Sequence, residues 1–291
     1  MTVALTAATG QLGRLVVDAL LERLGTERGL ESAADVVAVV RDPAKAADLA
    51  ERGVTVRVAS YEDGVAMEAA LAGVDRLLLI SGSDVGQRAK QHATVIDAAV
   101  AAGVGHITYT SVLGATSSTL PVAPDHRDTE AHLAVIGVPS TLLRNGWYHE
   151  NYVSTVDTAR HTGVVLTSVH EGRVASATRA NYAQAAAVVL TTPVAELDDV
   201  YELSGDVAWT QEDLAAAVTE LIGSPVTVAR VTPQEQTATL IQVGLDADTA
   251  AFVVAIDAAT DRGDLAIRTG ALARLIGHPT TSLVDGLRPL A

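Results

Sequence analysis

The 291-residue chain has no cysteine, which excludes disulfides, thiolate nucleophiles and cysteine-ligated metals. Aromatic residues make up only 3% of it, so any ring placed near a site competes with a packing role. Basic residues are scarce beside acidic ones, 20 against 35, and the net charge of −15 argues against a nucleic-acid backbone or an anionic membrane surface as partner. Any bound phosphate must then meet a local patch of amides and arginines. No apolar run approaches the ~20 residues of a membrane span. Met1-Thr2-Val3 leads straight into the first strand without a basic leader, so a cytoplasmic enzyme or binding protein is expected. The chain is 48% hydrophobic and long enough for one large domain, or one domain plus a smaller cap.

The most informative segment is Thr6-Ala7-Ala8-Thr9-Gly10-Gln11-Leu12-Gly13, between the apolar run Val3-Ala4-Leu5 and the helix-like Arg14 to Leu21. A strand, a tight turn and a helix start in that order aim free N–H groups and a positive dipole end at one spot, which suits a pyrophosphate. Ala7 stands where a Gly-x-x-Gly-x-x-Gly pattern would begin. Apolar runs then alternate with helical faces: strands at 36–40, 54–58, 76–80, 106–110 and 140–143, with helices at Pro43 to Glu51, Val65 to Leu71, Val85 to Ala102 and around 131–136. Such alternation predicts a Rossmann-type doubly wound parallel α/β sheet covered on both faces. We assign 1–147 to a dinucleotide-binding domain and 148–291 to a smaller substrate-side lobe, some of whose segments return to the sheet. In that lobe helices are expected at Tyr152 to Gly163, Tyr182 to Leu190, Gln211 to Leu221 (capped by Thr210) and Thr232 to Ile256 (interrupted at Gly244), with extended chain at Val174 to Thr178 and Val200 to Leu203. Substrate is expected at the sheet's carboxyl edge, in the cleft between the two.

After the second strand an acidic side chain would select a ribose hydroxyl and a basic one a 2′-phosphate. Arg41, with Lys45 a turn later, favours NADP, whereas Asp42 could do the opposite job. Ser81 and Gly82 supply small residues where backbone would pass the cofactor. After the fifth strand there is no Tyr-x-x-x-Lys pair; the stretch reads His126-Arg127-Asp128-Thr129-Glu130. His126 and Glu130, four apart on one helical face, read as a helix-surface ion pair or as an acid–base pair. With His132 they match no usual ligand spacing, and no metal is expected.

The strings Ala8 to Gly13, Val40-Arg41-Asp42-Pro43-Ala44-Lys45-Ala46, Leu77 to Ser81 with Val85-Gly86-Gln87-Arg88, and Tyr109-Thr110-Ser111 resemble the NmrA-like branch of the atypical short-chain dehydrogenases. Within that branch the chain is similar to bacterial NAD(P)H:quinone oxidoreductases of type 2. The likeness continues through Leu142 to Tyr152 (Leu-Leu-Arg-Asn-Gly-Trp-Tyr-His-Glu-Asn-Tyr), Ala175 to Arg179 and Leu275 to Thr281. The resemblance implies NADP(H) held by Thr6, Thr9, Gly10, Gln11, Leu12, Gly13, Arg41 and Lys45, with Ser81, Gly82 and Arg88 flanking it. Tyr109, Asn145, Trp147 and Tyr148 would border the nicotinamide and the substrate. It further implies flavin-independent hydride transfer to a small quinone or carbonyl acceptor; the chain is expected to act as a monomer or homodimer. The family usually has glycine at Ala7 and an acidic residue at Ser60; Asp63 is the nearest carboxylate that could compensate. Two other readings stand beside it: an NADP-binding redox-sensing regulator without turnover, and a carbonyl reductase or isomerase with His126 as proton donor.

Overall fold

The computed structural model describes residues 1–26 and 30–290. The chain forms two compact units: the first holds Met1–Ala115, Pro124–Asn145 and Arg179–Tyr201, the second Thr116–Ala123, Gly146–Thr178 and Glu202–Ala291.

The first half runs β1 (Val3–Leu5), α1 (Gln11–Leu21), β2 (Val36–Val40), α2 (Ala47–Glu51), β3 (Thr55–Val58), α3 (Gly64–Leu71), β4 (Arg76–Leu79), α4 (Arg88–Ala101), β5 (His106–Val112), α5 (Ala123–Val135) and β6 (Ser140–Asn145). The second runs α6 (Val153–Thr162), β7 (Val164–Thr167), α7 (Arg179–Thr191), β8 (Val200–Leu203), α8 (Gln211–Ile222), β9 (Thr227–Arg230), α9 (Pro233–Gln242), α10 (Ala247–Asp261), α11 (Ala271–Ile276) and α12 (Leu283–Leu287).

Seven strands form one sheet in the order β3-β2-β1-β4-β5-β6-β8. The pairings from β3 through β6 are all parallel. The central strands are buried on both faces, which explains their unbroken Val, Leu and Ile runs. The chain winds outward from β1 to β3, then restarts beside β1 with β4. This reversal leaves a crevice at the carboxyl ends of β1 and β4. One face is filled by Met67, Leu71, Val95, Ile96, Leu77, Ile107 and Tyr109. On α1, Val16, Val17 and Leu20 are buried, and α7 returns to pack along that helix, where Arg23 Nε donates to Thr191 Oγ1 at 3.2 Å.

Several expected boundaries shift for local reasons. The helix expected from Val85 starts at Arg88, because Gly86, with φ +82°, turns the chain and donates its amide to Asp125 at 2.8 Å. Pro43–Ala46 forms a separate 3-10 turn before α2. Val174 to Thr178 makes only isolated bridges, Val174 to Trp209 and Tyr148 to Ala177. In the second unit, β7 and β9 form a parallel pair that short segments at helix ends did not announce. Thr210 caps α8 through a reciprocal bond with Asp213, and Gly244, at φ +106°, separates α9 from α10.

Within the second unit a buried knot ties distant segments together. His149 Nδ1 lies 2.7 Å from Ser176 Oγ, which accepts from Trp209 Nε1 at 2.8 Å, and His149 Nε2 meets the Thr281 carbonyl at 3.1 Å. Gly286 of α12 packs flat on the His149 ring, where a Cβ would come within 2.2 Å of Cδ2. Gly205 is tighter still against backbone, its Cβ position 2.0 Å from the Ser176 carbonyl oxygen. Gly205→Ala should therefore cost about 2 kcal/mol or more of stability. Chemical denaturation with an unchanged midpoint would contradict that packing.

Candidate active site

The turn from β1 into α1 carries its strain at Ala7, which sits at φ +50°, a left-handed conformation that costs a non-glycine residue about 1 kcal/mol or more. Its carbonyl accepts the Gly10 amide at 2.9 Å, and a Cβ on Gly13 would lie 2.3 Å from the same oxygen. Gly13 is thus required for α1 to approach the turn. The first-turn amides of α1, at Gln11, Leu12 and Gly13, have no intrahelical acceptor. No side chain caps them and no acidic residue stands in that turn. Gly10 and Gln11 are exposed and Thr9 half-buried, while Leu12 is buried beneath them. Thr6 is fully buried; its Oγ1 accepts from the Ile80 amide at 3.1 Å and bonds the Tyr61 hydroxyl, which also donates to the Ile80 carbonyl at 2.7 Å. Thr6 therefore braces the carboxyl ends of β1 and β4 instead of presenting its hydroxyl to a ligand.

Arg41 follows β2, is exposed, and makes no hydrogen bond or ion pair with any described residue. Asp42 does not compete for a ribose, because its carboxylate caps the next turn by accepting from Ala44 N at 3.0 Å. Lys45 is exposed, and its carbonyl accepts from Arg14 Nη2 at 2.6 Å while Arg14 Nη1 meets Asp48 at 2.6 Å. Arg14 thereby ties the loop bearing Arg41 and Lys45 to the first turns of α1. Asp63 is likewise committed, capping α3 through Ala66 N at 2.9 Å, so it offers no compensation for Ser60.

Beyond β4, Ser81 N donates to Thr110 Oγ1 at 2.8 Å and Gly82 N to His92 Nε2 at 3.0 Å. Arg88, expected to flank a cofactor, is turned inward: its Nε pairs with Asp125 at 3.0 Å, both side chains nearly buried. From α5, His126 and Glu130 do share one face, but that face meets the sheet and not solvent. His126 Nδ1 lies 2.8 Å from the Tyr109 hydroxyl, and Glu130 accepts from Ser111 Oγ and from Arg144 Nε and Nη2, at 2.9 and 2.6 Å. The expected surface ion pair between His126 and Glu130 is absent among the described residues. The spacing explains it: four residues on a helix advance ~6 Å and two on a strand ~6.7 Å, so both rungs match. Tyr109 is fully buried, so it can reach a ligand only through the imidazole it holds.

Burial pushes the imidazoles of this cluster down, His92 to about 4 and His126 to about 3, each helped by the nearby Arg88 cation. His106 at the opposite edge is lowered to about 4 by burial and Arg76. The Tyr61 and Tyr109 hydroxyls are pushed up by burial.

Asn145 ends β6, nearly buried, its carbonyl accepting Leu113 N at 2.9 Å. Trp147 and Tyr148 belong to the second unit, both half-buried. There Trp147 bonds the Tyr152 hydroxyl, and Tyr152 stacks edge-on to Trp209 with centroids 5.0 Å apart. His92, Tyr61 and Thr110 are not singled out by the sequence; His92, one turn after Arg88 on the helix face that carries Val95 and Ile96, is the one legible sign.

The sequence pattern of the NmrA-like family matches residues 1–271. The chain belongs to the NmrA-like family. Quinone oxidoreductase 2 of Escherichia coli (strain K12) is 46% identical over 288 residues, covering 99% of this chain and 98% of that one. The Escherichia coli NADPH-dependent quinone oxidoreductase solved with NADPH superposes with a TM-score of 0.92 at 45% identity, covering 99% of each chain. The Citrobacter sp. triphenylmethane reductase solved with NADP(H) gives 0.92 at 34% identity over 100% of both. No helix among the described residues of this NmrA-like chain is long and apolar enough to cross a membrane.

His149 is lowered by burial too, and the four lowered imidazoles set an acid limit on stability. An unfolded imidazole binds protons below about pH 6.5, and the folded chain refuses them until far lower pH, so the unfolded state gains protons first and stability falls with pH. The thermal midpoint should drop by roughly 5 °C or more between pH 7 and pH 5. A midpoint constant across that window would mean that these histidines are not neutral in the fold.

Proposed function

We propose that this protein is an NADPH-dependent oxidoreductase that passes a hydride directly to a quinone or a similarly small carbonyl acceptor. The observation that carries the reading is the β1–α1 turn, whose free first-turn amides lie on a helix tied by Arg14 to the loop of an unpaired Arg41. It is supported by full-length similarity to reductases solved with NADPH or NADP(H). The turn would hold the pyrophosphate, Arg41 the 2′-phosphate with Lys45 beside it, and the Ser81–Gly82 backbone would pass the nicotinamide. Bound there, NADPH supplies the hydride.

The chain's own task is to position the acceptor and stabilise charge as it develops on the carbonyl oxygen. A quinone is an activated acceptor, so the missing Tyr-x-x-x-Lys pair is tolerable. Asn145 serves as an oxygen-directed donor, with Trp147 and Tyr148 as walls. The reading includes a cytoplasmic setting and a small-molecule partner, not a nucleic acid, with the protein acting as monomer or homodimer.

NADPH and NADH oxidation followed with a small benzoquinone, without added flavin or metal, tests the reading. Quinone-dependent turnover is expected with NADPH preferred; tight NADPH binding without oxidation would favour the redox sensor. Arg41→Ala should weaken NADPH by about tenfold or more and NADH by little, since the lost contact is one charged hydrogen-bonding group. Equal weakening would return Arg41 to the surface. Asn145→Ala should lower kcat by about tenfold or more at unchanged NADPH affinity, and an unaltered kcat would remove it from the mechanism.

A further inference from the structure

We infer that His126 donates a second hydrogen bond, from Nε2–H, to the acceptor's reducible oxygen, and that Tyr109 is the positioning residue that keeps the proton on that nitrogen. The inference rests on the reductase reading above and adds to it the residue that meets the developing negative charge.

The tautomer follows from one proton whose place is certain. The Gly82 backbone N–H donates to His92 Nε2 at 3.0 Å, so His92 carries its own hydrogen on Nδ1. That Nδ1–H points at Thr129 Oγ1, 2.9 Å away, with the Tyr109 oxygen at 3.4 Å; Thr129 in turn donates to the Asp125 carbonyl at 2.8 Å. Tyr109 thus faces a donor on one side. The Thr129 and Ser81 hydroxyls also lie beside it, but an unprotonated imidazole nitrogen is the stronger acceptor, and the Tyr109 O–H goes to His126 Nδ1 at 2.8 Å, which puts the His126 proton on Nε2.

His126 Nε2 has no partner among the described residues. Nor is it one of the sealed, unsatisfied atoms of this unit, which include His106 Nδ1 and Thr108 Oγ1. A chain that spends a Tyr, a Thr, a second His and a backbone amide on orienting one imidazole leaves its outward N–H as the product. The residue stands on α5 in the stretch where a Tyr-x-x-x-Lys pair would fall, and it shares the polar row that holds Gly82 at the carboxyl end of β4.

The groups packed about it are Arg88 and His92 from α4, Tyr109 from β5 and Asp125 from α5 itself. No described residue accepts a hydrogen bond from Nε2, and burial with the Arg88 cation nearby keeps the imidazole neutral. Its role is therefore that of a neutral donor, not an acid. In the step the C4–H bond of the nicotinamide breaks and its electron pair, with that hydrogen, passes to the quinone. The products are NADP+ and the hydroquinone monoanion. The anionic oxygen accepts the Nε2–H bond and takes its proton from water on release. A quinone has two carbonyl oxygens, which gives Asn145 and His126 separate partners.

Two substitutions separate donor from scaffold. His126→Gln can place an amide N–H near the position of Nε2 but gives up the Nδ1 acceptor; His126→Asn keeps an acceptor for Tyr109 and loses the distal donor. With benzoquinone and NADPH, we expect the Asn variant to lose about 10- to 100-fold in kcat at unchanged NADPH affinity, and the Gln variant to recover to within about fivefold of wild type. Tyr109→Phe should lower kcat less than the Asn variant, because it frees the tautomer without removing the donor. An Asn variant as fast as wild type, or faster than Gln, would overturn the inference while the reductase reading stands. A wild-type protein that binds NADPH and oxidises none with any quinone would remove both.

Discussion

The carboxyl edge of the main sheet depends on a polar seam between α5 and β5. Tyr109–His126 and Ser111–Glu130 are its two rungs, and Thr129 extends it through His92 to the Gly82 amide. Each such bond contributes a modest net stabilisation of about 1 kcal/mol, whereas an orphaned buried partner costs about 1–3 kcal/mol, so the seam is stronger as a positional constraint than as a source of stability. It fixes where the loop after β4 lies and which nitrogen of each imidazole carries hydrogen. An apolar seam of equal volume would hold α5 in place but would leave the Gly82 amide without its partner.

The nucleotide side is organised by a different economy. The protein carries a net charge of −15, yet the β1–α1 turn has no carboxylate in its first helical turn, and the nearby Asp42, Asp48 and Asp63 are occupied by caps or by Arg14. With Asp42 and Asp63 turned to backbone amides and Asp48 paired with Arg14, Arg41 and Lys45 are the exposed charges of this loop that an anion would meet, despite an unfavourable global field. Ala7 keeps the turn in a conformation where glycine would be easier, held by the Gly10 amide and by the close approach of Gly13.

Much of this was legible beforehand. Continuous apolar runs such as Val36–Val40 have no stable place except a two-sided parallel sheet, and the turn from Thr6 to Gly13 declares itself through its glycines. The polar face of α5 was legible as a pattern but not as a direction. His126 and Glu130 at four-residue spacing look alike whether they meet solvent or a row of hydroxyls, and only the pairing of α5 with Tyr109 and Ser111 decides. Committed side chains were hidden for a similar reason: Thr6, Arg88 and Asp63 have the right types for ligand contacts, but local caps and buried ion pairs use them first. The β7–β9 pair stayed hidden because each strand has four residues and its partner is distant in sequence.

The interleaving of the units has a consequence for the newborn chain. Helix α7, which lies along α1, is not made until the segment Gly146–Thr178 of the second unit has already left the ribosome, and that segment must wait for Trp209 and Gly286 before His149 is enclosed. Neither unit can be finished before part of the other has emerged, so the familiar rule of one domain completed before the next begins does not apply here. For a time during synthesis α1 offers an uncovered apolar stripe to solvent, an opening for misassembly that closes only when α7 arrives.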